Sequence, residues 1–220
     1  MYRPPQDATF VWKVAHVILT VGWPFVCRLR IEGQEHMPRQ GGVVVACNHP
    51  GGMDVVFLGY ASPRQIYYMA KQELFQIHPA FSALIRLAGA FPVRRGERDL
   101  AAIQHSLELV RAGKVLGMFP EGTRNRGGPL GRPKPGAVRI AAQAGAPIVP
   151  AGVIGVPQFH REWRDLRRRT PVTVRFGPPL YFNGDTTDPV ILHQRMMDVM
   201  YAIAALLPPE LRGEYDVAAH

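Results

Sequence analysis

Two short stretches of this 220-residue chain carry side chains that suit acid–base chemistry and anion binding. The first, 48–54, reads Asn-His-Pro-Gly-Gly-Met-Asp, and the second, 119–124, reads Phe-Pro-Glu-Gly-Thr-Arg. A carboxylate bonded to one nitrogen of an imidazole fixes its tautomer and leaves the other nitrogen to take a proton as general base. Glycine, threonine and arginine offer phosphate oxygens close backbone approach, a hydroxyl and a forked cation. The two stretches together predict an enzyme site.

The histidine and the aspartate of the first stretch pair only if the chain turns between them. His49 and Asp54 are five residues apart, and on a regular helix they would lie on different faces. Pro50, Gly51 and Gly52 allow a sharp turn that brings Asp54 back towards the imidazole. The alternative is an ordinary turn histidine, with Asp54 capping the next helix.

Buried strands are predicted immediately before both stretches. The runs 43–47 and 115–119 are apolar, and ligands of open α/β sheets bind beyond the carboxyl ends of the strands. Between them, 100–110 has helical periodicity, with Asp99 as N-cap and Gly113 beyond its end. Further predicted elements are helices over 55–60 and 137–144 and strands over 65–70, 148–153 and 172–176, the last an alternating strand near a sheet edge. A closing helix is marked by apolar residues over 192–206, with Thr187 or Asp188 as its cap. This alternation predicts one α/β domain with a mixed, mostly parallel central sheet flanked by helices.

Other cations follow apolar segments and can reach the same crevice. Lys71 ends the predicted strand at 65–70, and Arg94 and Arg95 follow 91–93. Each alone is more often a solvated surface charge. Glu121 has three open roles, since it can orient the neighbouring arginine, accept a hydrogen bond from a substrate hydroxyl or cap the loop, and we favour a positioning role.

The composition indicates a polyanionic partner but does not distinguish between the classes of polyanion. Lys and Arg number 26 against 17 Asp and Glu, a net charge of +9, which favours nucleic acid, an acidic membrane surface or a phosphorylated substrate. No nucleic-acid motif and no Gly-x-Ser-x-Gly elbow of a serine hydrolase occurs. Cys27 and Cys47 have no disulfide or metal-ligand spacing, which predicts buried thiols in a reducing compartment.

The segment 9–23 predicts an amphipathic helix with a narrow polar stripe. The polar residues recur at spacings of four, three and four: Thr9, Lys13, His16 and Thr20. Pro24 should end or kink this helix, which leaves about 15 residues, or about 22 Å at about 1.5 Å per residue. That is shorter than the roughly 30 Å of a bilayer's hydrocarbon core.

Two interpretations of this helix stay open. It either packs on the domain core or lies in a membrane interface, with Arg28 and Arg30 at the headgroups. The aromatic residues Phe10, Trp12 and Trp23 and the basic flank favour the interface.

Read in chain order, the motifs resemble the four blocks of the glycerolipid acyltransferases of the 1-acylglycerol-3-phosphate acyltransferase family. The resemblance rests on 48–54, 89–95, 119–124 and 148–150, and it covers roughly residues 30 to 180. The first and third blocks together are far more specific than either alone. One departure is Arg94, which stands where the family commonly has an acidic residue.

The resemblance implies an enzyme that moves an acyl chain from acyl-CoA or acyl carrier protein to the free hydroxyl of 1-acylglycerol 3-phosphate, giving phosphatidate. His49 would be the general base and Asp54 its orienter. The residues implied to bind the acceptor are Glu121, Gly122, Thr123, Arg124, Arg95 and Lys71. No metal, organic cofactor or nucleic acid is implied.

Family members act at membranes, so the resemblance implies a peripheral or monotopic protein at the cytoplasmic face of the cell membrane, in contact with an anionic surface. We expect a membrane-interface helix region over 1–30 and an acyltransferase domain over 31–220. The alternatives are the same chemistry on glycerol 3-phosphate, another lysophospholipid or a lyso-ornithine-type lipid, and a non-catalytic lipid-binding protein.

Overall fold

A seven-stranded sheet forms the centre of the molecule. The computed structural model describes residues 8–94, 99–163, 165, 167, 169–182 and 187–216. The strands are β1 Cys27–Glu32, β2 Val43–Cys47, β3 Ile66–Lys71, β4 Ala90–Val93, β5 Val115–Met118, β6 Ile148–Ile154 and β7 Thr170–Phe176. Their order across the sheet is β1-β7-β6-β2-β5-β3-β4. Every pairing is parallel except that of β6 with β7, so the predicted mixed, mostly parallel sheet is confirmed.

Helices cover both faces of this sheet. They are α1 Phe10–Val26, α2 Asp54–Ala61, α3 Pro79–Leu87, α4 Leu100–Arg111, α5 Gly136–Ala144, α6 Val156–Glu162 and α7 Pro189–Ala205. One hydrophobic core contains Trp23 of α1, Phe57 of α2 and Phe159 of α6. The other core lies against α4, α5 and α7 and contains Val110 and Met200. The central strand β2 is buried along its whole length, because both of its faces are covered.

Local signals located most of these elements. The helix predicted over 100–110 is α4, where the Asp99 carboxylate accepts a hydrogen bond from the Ala102 N–H and Gly113 follows with a φ of +77°. Asp188 likewise caps α7. Strand β7 lies beside the edge strand, as its alternating pattern predicted.

The edge strand itself was not expected. Arg28 and Arg30, placed at lipid headgroups by one interpretation, belong to β1, which pairs in parallel with β7. The expected boundary at residue 30 therefore falls inside the sheet. Pro24 does not end α1, which continues to Val26, because the proline removes one backbone donor only two residues before the end.

Helix α1 turns its polar residues towards the protein and much of its apolar surface outwards. The His16 ring is buried and stacks between Trp12 and Tyr60, with centroids 4.9 and 4.4 Å apart. The Thr20 hydroxyl lies 3.2 Å from the Tyr60 hydroxyl. The exposed large side chains of α1 are Phe10, Val14, Val17, Ile18, Val21 and Phe25. Within the described segments, no helix combines the length and the hydropathy that crossing a bilayer requires.

Candidate functional site

The structure brings His49 and Asp54 together at the carboxyl end of β2. The Nδ1 atom of His49 lies 2.7 Å from Oδ2 of Asp54, and the same oxygen accepts a hydrogen bond from the Gly51 N–H at 3.0 Å. The other oxygen, Oδ1, accepts from the Val55 N–H at 2.9 Å. Asp54 is fully buried, and it begins α2 while facing back to the imidazole. The glycine turn thus lets one carboxylate serve both the helix and the histidine.

The His49 ring is also held on its face and is open at its outer nitrogen. The Phe119 ring stacks on it with centroids 4.1 Å apart and an interplanar angle of 18°, and Tyr68 lies against the same phenylalanine. No residue in the described segments hydrogen-bonds Nε2. With Nδ1 donating to the carboxylate, Nε2 is left as the acceptor.

His49 lines a cavity of about 700 Å³. Its walls are mainly apolar and come from α1, α2, β3 and α3, with Leu19, Tyr60, Met69 and Phe81 among them. Burial raises the pKa of the Tyr68 phenol well above its usual value, so that hydroxyl stays neutral and donates to the Val55 carbonyl oxygen. The cavity therefore offers an apolar space beside the His49 imidazole.

Two of the predicted cations line the same cavity. The guanidinium of Arg124 passes the glycine turn, with Nη1 3.6 Å from the position that a Cβ on Gly52 would occupy. Lys71 lies at the end of β3, half exposed, with Nζ 3.8 Å from the Glu73 carboxylate. Arg95 lies outside the described residues, and the backbone N–H of Arg94 is bonded to Asp99.

The remaining predicted residues lie on the turn beyond β5. Gly122 has a φ of +67°, which favours glycine, and Thr123 is exposed. Glu121 is buried, and its carboxylate accepts hydrogen bonds from the N–H groups of His49 and Gly131. This placement favours positioning over the acceptor-binding role that the resemblance implied for Glu121.

Sequence reasoning missed two residues that shape the site. Asn48 bonds both the N–H and the C=O of Val153, which ties the end of β2 to β6. Asn125 bonds the backbone of His49 and the carboxylate of Glu121. The only local signal for Asn125 was its position two residues before Gly127, which is typical of an Asx turn. Cys47 is buried and its thiol pKa is raised by burial and then by nearby carboxylates, which supports its interpretation as core.

Comparison with known proteins agrees with this fold. An acyltransferase family model matches residues 28–154, a span that contains both motifs. Because it covers more than half of the chain, the chain belongs to the acyltransferase family, and it is an O-acyltransferase.

Three individual proteins illustrate the relationship. A 1-acyl-sn-glycerol-3-phosphate acyltransferase of Bacillus subtilis is 37% identical over 155 residues, 70% of this chain and 74% of the relative. One of Borreliella burgdorferi is 30% identical, over 62% of this chain and 55% of its own length. The crystal structure of PlsC, the 1-acyl-sn-glycerophosphate acyltransferase of Thermotoga maritima, has a TM-score of 0.68 at 21% identity and covers 89% of this chain and 78% of its own, a likeness of fold.

Proposed function

We propose that this enzyme transfers an acyl chain from acyl-CoA or acyl carrier protein to the free hydroxyl of 1-acylglycerol 3-phosphate, giving phosphatidate. The single observation that carries this proposal is the His49–Asp54 pair, whose histidine lines an apolar cavity that Arg124 and Lys71 also line. The relatives' shared name supports the choice of acceptor.

His49 acts as the general base in this proposal. Its Nε2 takes the proton of the acceptor hydroxyl while the hydroxyl oxygen attacks the thioester carbonyl carbon. Asp54 stabilises the imidazolium that forms. The carbon–sulfur bond then breaks, and the thiolate leaves with the proton that the imidazolium returns. A thioester is already activated, so the reaction needs no covalent enzyme intermediate.

The cations supply a site for the acceptor's phosphate. Arg124 offers paired N–H donors and Lys71 a point charge, both at the cavity that His49 lines. We assign Arg95 the same partner, with Gly122 and Thr123 shaping the turn that carries Arg124. The apolar length of the cavity takes an acyl chain, since burial there removes methylene groups from water at about 0.8 kcal/mol each.

The exposed apolar face of α1 supports a membrane location for this reaction. Val17, Ile18 and Val21 share one side of the helix and project away from the core. A net charge of +9 attracts an anionic bilayer surface. Because both candidate donors are intracellular thioesters, we place the enzyme at the cytoplasmic face of the cell membrane, with α1 at the membrane interface.

The test is thioester consumption by the detergent-solubilised protein with a panel of acceptors. The panel contains 1-acylglycerol 3-phosphate, glycerol 3-phosphate, another lysophospholipid and a lyso-ornithine lipid, and we expect the first to have the highest kcat/KM. His49→Ala should lower kcat by about 10²- to 10⁴-fold, the contribution of a general base. His105→Ala, at an exposed histidine on α4, is the matched control. Undiminished turnover in His49→Ala, or no product with any acceptor, would overturn the proposal.

A further inference from the structure

The backbone of His49 is held on both sides by the turn that follows β5. The Glu121 carboxylate accepts a hydrogen bond from the His49 N–H at 3.0 Å, and the Asn125 N–H donates to the His49 carbonyl oxygen at 2.9 Å. One turn therefore holds both the backbone donor and the backbone acceptor of a single residue. The histidine's backbone position depends on residues more than 70 positions away along the chain.

Asn125 completes this arrangement with its side chain. Its Nδ2 donates to the Glu121 carboxylate, with a distance of 3.2 Å to Oε2, and its Oδ1 accepts from the Gly127 N–H at 3.0 Å. Oε2 of Glu121 also accepts from the Gly131 N–H at 2.9 Å. The buried carboxylate thus has donors on both oxygens, and the asparagine amide orients it between them.

We propose that Asn125 is a positioning residue for His49, acting through Glu121 and through its own backbone N–H. His49 is held at Nδ1 by Asp54 and on its ring face by Phe119. Its backbone N–H and C=O are bonded to Glu121 and Asn125. Together these contacts set the direction in which Nε2 points. Asn125 contacts neither the cavity nor the reacting atoms, so it acts on the position of the base and not on substrate affinity. This inference rests on the proposed function, in which His49 is the base.

Positioning and substrate binding predict opposite kinetic effects. A base displaced by about 1 Å loses up to about a hundredfold in rate while the substrate still binds. Asn125→Asp sets a second carboxylate against that of Glu121. We expect it to lower kcat about ten- to a hundredfold, with the KM for 1-acylglycerol 3-phosphate within about twofold of wild type. Arg124→Gln, at the cavity, should instead raise that KM.

Recovery of kcat in a double variant tests whether Asn125 acts through Glu121. Glu121→Gln in the Asn125→Asp background lets an amide face a carboxylate again, with donor and acceptor exchanged, and kcat should recover part of the loss. Asn125→Ala, which keeps the backbone bond to His49, is the milder second variant and should lose less than Asn125→Asp. Thermal unfolding of each variant shows that it is folded under the assay conditions.

The outcomes separate this inference from the proposed function. Inactive His49→Ala with unchanged kcat in Asn125→Asp and Asn125→Ala overturns the positioning role alone, as does a rise in KM at constant kcat. A double variant no more active than Asn125→Asp overturns the coupling through Glu121. Retained activity in His49→Ala overturns the proposed function itself.

Discussion

The outward face of α1 gives a quantitative prediction for membrane binding. Val17 and Val21 lie one turn apart and are 60% and 64% exposed. Full burial of a valine side chain is worth about 1.5–3 kcal/mol, so burying what is exposed contributes about 1–2 kcal/mol at each position. Val17→Gln with Val21→Gln removes about 2–4 kcal/mol, and at about 1.4 kcal/mol per factor of ten the partition coefficient falls about 30- to 700-fold.

The assay is cosedimentation with vesicles that contain a fixed fraction of anionic lipid, at one ionic strength. Val190→Gln is the matched control, since Val190 is 74% exposed on α7, a helix that packs on the opposite face of the sheet. We expect the control to bind vesicles as wild type does. Equal partitioning of the double variant and the control would refute the assignment of this helix face.

The enzymatic activity of the double variant should depend on whether the acceptor is presented in a membrane. The double variant should lose kcat/KM towards an acceptor presented in vesicles and keep it towards a short-chain acceptor that is monomeric in water. A parallel loss on both acceptors would mean that the substitutions disturb the cavity, which α1 also lines through Trp12 and Leu19.

Further predictions concern the fold and its titrating groups. Gly117→Ala should cost about 1–3 kcal/mol of unfolding free energy, measured in urea, because a Cβ there would overlap the Tyr68 ring and Ile66. Burial raises the pKa of Cys27 to about 11, which leaves only about 0.1% thiolate at pH 8. Burial also raises the pKa of Cys47 well above its usual value, so neither thiol should react with a thiol reagent until the protein unfolds. Hydrogen bonds from the N–H groups of Arg94 and Ala102 lower the pKa of Asp99, so its stabilisation is present above the unfolded-state pKa and is lost as the pH falls through the folded-state pKa. Asp99→Ala should remove that part of the acid unfolding profile.

Sequence predicted the elements whose signals are local. Strand β2 is a continuous apolar run, and α4 carries its own cap and stop, so both were located within a residue. Strand β1 was missed because its alternating arginines resemble a basic flank. Its identity depends on pairing with β7, about 140 residues later, where Arg175 meets Glu32 at 2.8 Å.

The residues of the site also divide into those that local sequence signals predict and those that depend on remote segments. The proximity of His49 and Asp54 followed from the two glycines between them, and the convergence of Arg124 and Lys71 followed from the shared edge of a parallel sheet. The orientation of Glu121 did not follow, because its partners belong to segments that are remote or irregular. A motif residue that the family resemblance assigns to the substrate can therefore hold the backbone of the base, as the positioning role favoured for Glu121 from its residue type would have it.

On the proposed membrane location, helix α1 faces two environments at once, which explains why its polar residues point inwards and much of its apolar surface points outwards. Its inner side meets Tyr60 through His16 and lines the cavity, while Val17 and Val21 project outwards. On the proposed function, the acceptor lipid in the bilayer lies on the outer side of α1 and the cavity lies on its inner side. Moving a lipid from a bilayer into water costs about 0.8 kcal/mol of free energy for each methylene group that becomes exposed. On the proposed membrane location, entry from a bilayer beside α1 avoids most of that cost, and the outward apolar side chains of α1 are then the surface that meets the bilayer.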